Sequence, residues 1–156
     1  MTDLTLFQLH EEGVSGSAGA ALVSLCTEPR LSGTELGRRV GLTQSAAVRM
    51  IDGLVSAGLV QREPHQGRSV AISLTESGRQ TARQLLSARH SPLAELLDGL
   101  TRDEQENLDA LLEKILARAY ANVRSSDRIC RLCDRKACTT RAVCPVGAAE
   151  RADPDG

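Results

Sequence analysis

Residues 32–58 read "SGTELGRRVGLTQSAAVRMIDGLVSAG" and leave little freedom in local structure. Ser32 followed three residues later by Glu35 is a capping-box pattern, in which each side chain satisfies a free backbone N–H at a helix start. The helix it opens is short, turns Leu36 and Val40 inward and stops at Gly41. Two residues on, Thr43 caps a second helix. Here Ala47, Val48, Ile51, Leu54 and Val55 make an apolar stripe at helical spacing. Ser45, Arg49, Asp52 and Ser56 fall on the opposite, polar face, and Gly58 ends the helix. Two short helices across so tight a turn predict a helix-turn-helix.

The next sixteen residues add a wing. "LVQRE" (59–63) reads as a strand, "PHQGR" (64–68) as a turn, and "SVAISL" (69–74) as a second strand, with Val70, Ile72 and Leu74 alternating inward. Thr75 caps a further helix that Pro92 is expected to break. "TRDE" (101–104) is a second capping box, and it opens the strongest helix of the chain. Leu108, Leu111, Leu112, Ile115, Leu116, Ala119 and Val123 keep to one face of it. Upstream, residues 1–12 suit a helix and "GVSGSAG" (13–19) a break. "SAGAALVSLC" (17–26) suits a short apolar helix stopped by Pro29.

The predicted fold class is therefore mainly α, a winged helix-turn-helix with a small β-hairpin, joined to long helices; that these helices form a dimer interface is what the family resemblance given below implies. The organisation expected is 1–29 N-terminal helices, 30–80 winged domain, 81–124 dimerisation helices, 125–147 a cysteine-rich segment and 148–156 a disordered polar tail. One Phe, one Tyr and no Trp leave the core to Leu, Val and Ala. No run of 18 apolar residues predicts a membrane span. The acidic start lacks the pattern of a secretory signal, so a cytoplasmic protein with reduced thiols is expected.

The net charge of −1 does not announce a nucleic-acid binder, but its distribution does. Residues 30–79 carry seven arginines against four acids, a net of +3. Residues 92–118 carry three bases against seven acids, a net of −4. The basic part coincides with the helix-turn-helix, as phosphate contact favours. In such a motif the second helix enters the major groove with its N-terminal side chains at base edges. Gln44 suits adenine, Arg49 guanine or phosphate, and Ser45 a base or a phosphate. Asp52 reads as a solvated position or a partner for Arg49. His10 and His65 read as solvated, His90 as a helix-end residue near terminal carbonyls, and Cys26 as a buried, inert thiol. The chain has no Ser/His/Asp set, no phosphate-binding glycine loop and no paired carboxylates in a cleft, so no enzyme is expected.

The stretches "GTELGRRVGLTQSAAVRMIDGLVSAGLVQRE" (33–63) and "GRSVAISLTESGR" (67–79) resemble the MarR family of bacterial transcriptional regulators. The likeness extends over roughly 30–125, with the helix 103–123 in the place of the family's last, dimerising helix. It implies a homodimer, usually a repressor, on a pseudo-palindromic double-stranded operator, with a small-molecule effector as a further partner. By position it implies that Thr43, Gln44, Ser45 and Arg49 lie at the reading head. Arg38 and Arg39 would lie nearer the DNA backbone, Arg62 at the wing base or on phosphate, and Arg68 at the wing tip in the minor groove. Gln66 departs from the acid usual two residues before that arginine. The N-terminal helix is shorter than the family's, so the dimer is expected to lean on 103–123.

Four of the five cysteines fall in "CRLCDRKACTTRAVC" (130–144). Cys130, Cys133, Cys138 and Cys144 have the spacing C-x2-C-x4-C-x5-C, and Pro145 follows. Four thiolates suit tetrahedral zinc. They equally suit an iron–sulfur cluster, and Cys-Pro closes the bacterial ferredoxin run. Free redox thiols are the third reading. Arg128, Arg131, Arg135, Lys136 and Arg141 would offset the negative charge of such a centre and lower its thiol pKa values. Following the dimerisation helix, the segment suits either a regulatory switch on DNA affinity or a static clip. The competing functions are an iron–sulfur electron-transfer protein, or a protein-binding winged-helix adaptor with structural zinc.

Overall fold

The computed structural model describes residues 16–64, 70–140 and 142–153. The expected helix over 1–12, the wing tip with Arg68, Gln66 and His65, and the position of Arg141 lie outside the described residues. Eight helices and three strands run in the order α1 Gly16–Thr27, β1 Leu31–Ser32, α2 Gly33–Val40, α3 Gln44–Ser56, β2 Val60–Pro64, β3 Val70–Leu74, α4 Glu76–Leu97, α5 Arg102–Val123, α6 Ser126–Ile129, α7 Arg135–Thr140 and α8 Pro145–Ala152 among the described residues.

The caps read from the sequence form. Ser32, Thr43, Thr75 and Thr101 each accept a backbone N–H three residues on. Only Thr101–Glu104 is a reciprocal capping box. Glu35 instead gives its carboxylate to Arg38 and Arg39. Gly41 and Gly58 end α2 and α3 with φ of 74° and 69°, a backbone region that glycine enters without a Cβ clash.

α1 is buried from Ala18 to Leu25 and forms the centre of the core. Leu22 and Leu25 meet Leu36, Ile51, Leu54, Ile72 and Leu74 there, an aliphatic core as the composition requires. The helix begins at Gly16, inside the small-residue stretch read as a break. The sheet holds a strand the sequence did not reveal: β1 pairs with β3 through Leu31↔Ile72, and β3 lies between β1 and β2. With partners on both edges and helices packed on it, β3 buries Ala71 to Leu74 without a break, while Val70 is exposed. The expected alternation is overridden by this central position.

Two further expectations are corrected. α4 does not stop at Pro92 but runs through it to Leu97. Proline removes one helical hydrogen bond, and both ends of the helix are tied down. Ala82 and Leu85 anchor the first half to the core, and Gln105 Nε2 donates to the Leu97 carbonyl at 2.9 Å. His90 is thus mid-helix and exposed rather than at a helix end. The tail is not disordered over 148–153. α8 packs on α5, with Val146 and Tyr120 buried between them. Ser126 Oγ donates to Glu150 at 2.6 Å and Tyr120 Oη to Asp153 at 3.4 Å. Among the described residues no helix is long and apolar enough to cross a membrane.

Candidate nucleic-acid interface

α3 is set against α2 by a close backbone approach. A Cβ on Gly37 would stand 2.6 Å from the Ala47 methyl, so glycine is required for this crossing. Thr43 Oγ1 accepts the Ala46 N–H and lies 3.5 Å from Ser45 Oγ. With the apolar side of α3 turned down through Ala47, Ile51 and Leu54, the side chains left outside at its start are Gln44, Ser45, Val48 and Arg49, with Asp52 and Ser56 further along. Val48 was placed in the core stripe by periodicity, yet it is 45% exposed in the middle of this face. The buried stripe is therefore narrower than expected, confined to Ala47, Ile51 and Leu54.

Arg49 has no ion-pair partner among the described residues and extends its guanidinium from the exposed face. Asp52 pairs not with Arg49 but with Arg62, at 2.5 Å. That bond ties the base of the wing to α3. On the wing's other side Glu63 accepts from Ser73 Oγ at 2.7 Å and faces Arg30 at 3.5 Å.

Arg38 and Arg39 are differently placed. Arg39 is only 12% exposed at its side chain, held by Glu28 at 2.6 Å, Glu35 at 3.1 Å and Asp127 at 3.7 Å. As positioned it is an ionic post inside the fold, not a side chain presented to a partner. Arg38 is more than half exposed and bridges Glu35 and Asp127, at 2.7 and 2.9 Å. The hydrogen bond from Arg38, with help from Arg39, pulls the Glu35 carboxyl down to about 2 against the cost of burial. A carboxyl lowered on folding adds stability above its unfolded value near 4.5, and that stability is lost as pH falls towards 2. Thermal melts at stepped pH should show the wild type losing stability in that window. A Glu35→Gln chain should lose visibly less there, and identical acid profiles would remove Glu35 from the account.

Between α1, the wing and α4 lies a cleft of about 870 Å³. Arg79, Arg83, Arg135 and Lys136 stand on its wall with Cys26 and Cys133. Cys26 is therefore not the buried thiol expected. It is exposed on this wall, with its pKa raised by partial burial while Arg83 opposes the rise.

All five cysteines are free thiols. The fold brings the four C-terminal ones together as two neighbouring pairs. Cys130 and Cys133 interact thiol to thiol, as do Cys138 and Cys144, and each pair lies within electrostatic reach of the other. Among the described residues no group of three or more His, Cys, Asp or Glu side chains is placed to hold a metal ion. The Cys133 thiol is pulled down to about 6, first by Cys130 and then, against desolvation, by Arg89 and Arg135. Arg89 belongs to α4 and was not part of the basic collar read from the sequence. It donates to the Leu132 carbonyl, which places its charge beside the thiols from a distant helix.

Residues 12–69 match the model of the MarR family. An uncharacterized HTH-type transcriptional regulator of Mycobacterium bovis is 34% identical over 113 residues, covering 71% of this chain and 79% of the relative. The transcriptional repressor MprA of Escherichia coli is 26% identical over 114 residues, 70% of this chain and 65% of that protein. The crystal structure of wild-type MarR from Escherichia coli superposes with a TM-score of 0.61 at 29% identity, over 72% of this chain and 86% of that one.

Proposed function

The chain belongs to the MarR family of transcriptional regulators, which are not enzymes, and from that premise we propose that it is a homodimeric repressor reading a pseudo-palindromic operator through α3. The observation that carries the reading is the exposed face Gln44–Ser45–Val48–Arg49 at the start of α3, with Arg49 in no ion pair among the described residues. Gln44 suits adenine, Arg49 guanine, and the Val48 side chain a thymine methyl. Thr43 and Ser45 suit phosphate at the helix start, and Arg62 holds the wing base through Asp52. Arg68 is assigned to the minor groove from its place in the sequence. Repression rather than activation follows the named activity of MprA.

Dimerisation is assigned to α4 and α5, whose Leu93, Leu96, Leu97, Leu111, Leu112 and Ile115 are all exposed in the single chain. So many large apolar side chains on two adjacent helices mark an interaction face. The cleft carries five basic side chains against Glu63, Glu76 and Asp134, a positive balance that suits a small organic anion as effector. The cysteine segment is assigned a regulatory part, through metal binding or thiol oxidation. An electron carrier gains no support from relatives that are regulators.

The test is selection of a duplex from random DNA, followed by affinity measurements across salt. Specific binding should weaken steeply from about 50 to 200 mM salt. Arg49→Ala should cost about 1–3 kcal/mol, roughly 5- to 150-fold, and relax the preference at one base position per half-site. Equal affinity of wild type and Arg49→Ala for the selected duplex would overturn the assignment of α3 as the reading helix.

A further inference from the structure

The cysteine segment is more than an appendage to the dimerisation helix, because it touches the reading head. α5 ends at Arg124 in the left-handed region, with φ 47°, and the chain folds back there. α6 then brings Asp127 onto α2, 2.9 Å from Arg38 and 3.7 Å from Arg39. Arg135, from the cysteine segment itself, reaches the same carboxylate at 3.7 Å. The neighbouring Arg128 lies against Gly41, the turn between the two helices of the motif. Asp127 is therefore the junction between the thiol cluster and the first helix of the motif.

That junction has a charge consequence. Glu28, Glu35 and Asp127 surround Arg38 and Arg39, so three carboxylates face the two guanidiniums of α2. In a helix-turn-helix the first helix crosses the DNA backbone. Arg38, held by both Glu35 and Asp127, is engaged where phosphate would need it. Withdrawal of Asp127 leaves Arg38 with Glu35 alone, a carboxylate it shares with Arg39.

The segment has almost no core of its own and is seated on its neighbours chiefly through Leu132 and Val146. In α7 no residue is buried, and over 125–147 only Ser126 and Val146 are buried among the described residues. A loop so poor in core gains order from a cross-link. Among the described residues, the groups arranged to supply one are the two thiol pairs. Cys133 and Cys138 line one cavity with Arg89, and the spacing C-x2-C-x4-C-x5-C brings Cys130 and Cys144 from the same loop; four thiolates suit a thiophilic metal, which would draw them into a ligand set that the described residues do not form without it.

We propose that Cys130, Cys133, Cys138 and Cys144 hold one thiophilic metal centre, a single zinc ion or an iron–sulfur cluster, and that the loaded segment presses Asp127 onto Arg38 and Arg39 and so weakens operator binding. Loss of the metal loosens 125–147, frees Asp127 from α2 and returns Arg38 to the phosphates. The masking rests on the DNA-binding reading above. The metal site does not.

The full-length chain is purified without oxygen and analysed for zinc, iron and sulfide. Stripped protein is titrated with Co²⁺, whose thiolate bands in the visible report sulfur ligation. Stoichiometric metal is expected in the wild type, and none when Cys130, Cys133, Cys138 and Cys144 are all changed to Ser. Hydrogen exchange over 125–147 should slow on loading. Zinc without colour, or iron and sulfide with a visible band, identifies the centre. On the selected duplex, stripping should tighten binding about tenfold and steepen the salt slope by about one per head. Asp127→Asn, which keeps the side-chain size, should hold the metal equally well yet bind DNA like the stripped wild type even when loaded. Absence of stoichiometric metal overturns the site. If metal binds but stripping leaves affinity unchanged or lowers it, or if loaded Asp127→Asn matches loaded wild type, the masking is overturned. If no duplex is selected at all, the DNA-binding reading falls and takes the masking with it, while metal content and exchange still judge the centre.

Discussion

A Gly78→Ala chain is expected to lose at least about 3 kcal/mol of folding stability, the upper end of the usual cost of overpacking a core. For a chain of this size that corresponds to a melting point lowered by roughly 6–12 °C. The cause is steric and local. Gly78 sits in the first turn of α4, and a Cβ there would lie 1.9 Å from the Leu59 carbonyl oxygen and 2.9 Å from its carbon. Neither atom is free to move. The Leu59 carbonyl accepts from Thr75 N at 3.1 Å and from Thr75 Oγ1 at 3.2 Å. Thr75 in turn caps α4 through the Gly78 N–H at 3.0 Å. The bonds that fasten the stem helix to the α3–β2 connection are those that exclude a methyl group. Thermal denaturation followed by circular dichroism measures the loss. A variant melting within about a degree of wild type would show that the contact relaxes freely.

The second large effect is expected at Ile115. Aspartate there places a charge in the middle of the exposed apolar face of α5, where Ile115 is 61% exposed in the isolated chain. An unpaired charge buried in an interface costs several kcal/mol. The folded chain gives up nothing, because the position is not part of its own core. Ile115→Asp should therefore keep its helix content and melt cooperatively, but sediment as a monomer. Without two linked heads the avidity gain of roughly 10²–10⁴ disappears, so affinity for the full duplex should fall at least about 100-fold. A dimeric Ile115→Asp with intact affinity would move the interface elsewhere.

The parts of this fold that were legible in the sequence are those decided within a few residues. Thr43, Thr75 and Thr101 each cap the next turn, and Gly41 and Gly58 adopt positive φ. The long stripe of α5 likewise needs only helical periodicity. What escaped depends on partners distant in the chain. The strand at Leu31 exists only because β3, far along the chain, presents Ile72 to receive it. Val48 obeys the core period, yet the packing of α3 leaves it exposed. The proline at 92 is a local stop signal overruled by anchorage at both ends of α4.

At the candidate site the exposure of Gln44, Ser45 and Arg49 follows from the phase of one helix, and was readable. The bond between Asp127 and Arg38 spans 89 positions, and no local pattern encodes it or the enclosure of Arg39 beside it. The spacing of the four thiols is legible in the sequence. Their link to the head does not appear in that spacing at all.

The docking of α8 on α5 has an optical consequence. Tyr120 is the chain's one tyrosine, and the chain has no tryptophan. It lies buried where the C-terminal helix meets the stem, with its hydroxyl on Asp153. Near-ultraviolet emission from the unmodified protein therefore arises at this seam. Release of the C-terminal helix would expose the phenol and separate it from the carboxylate, and the native signal would follow that step without a label.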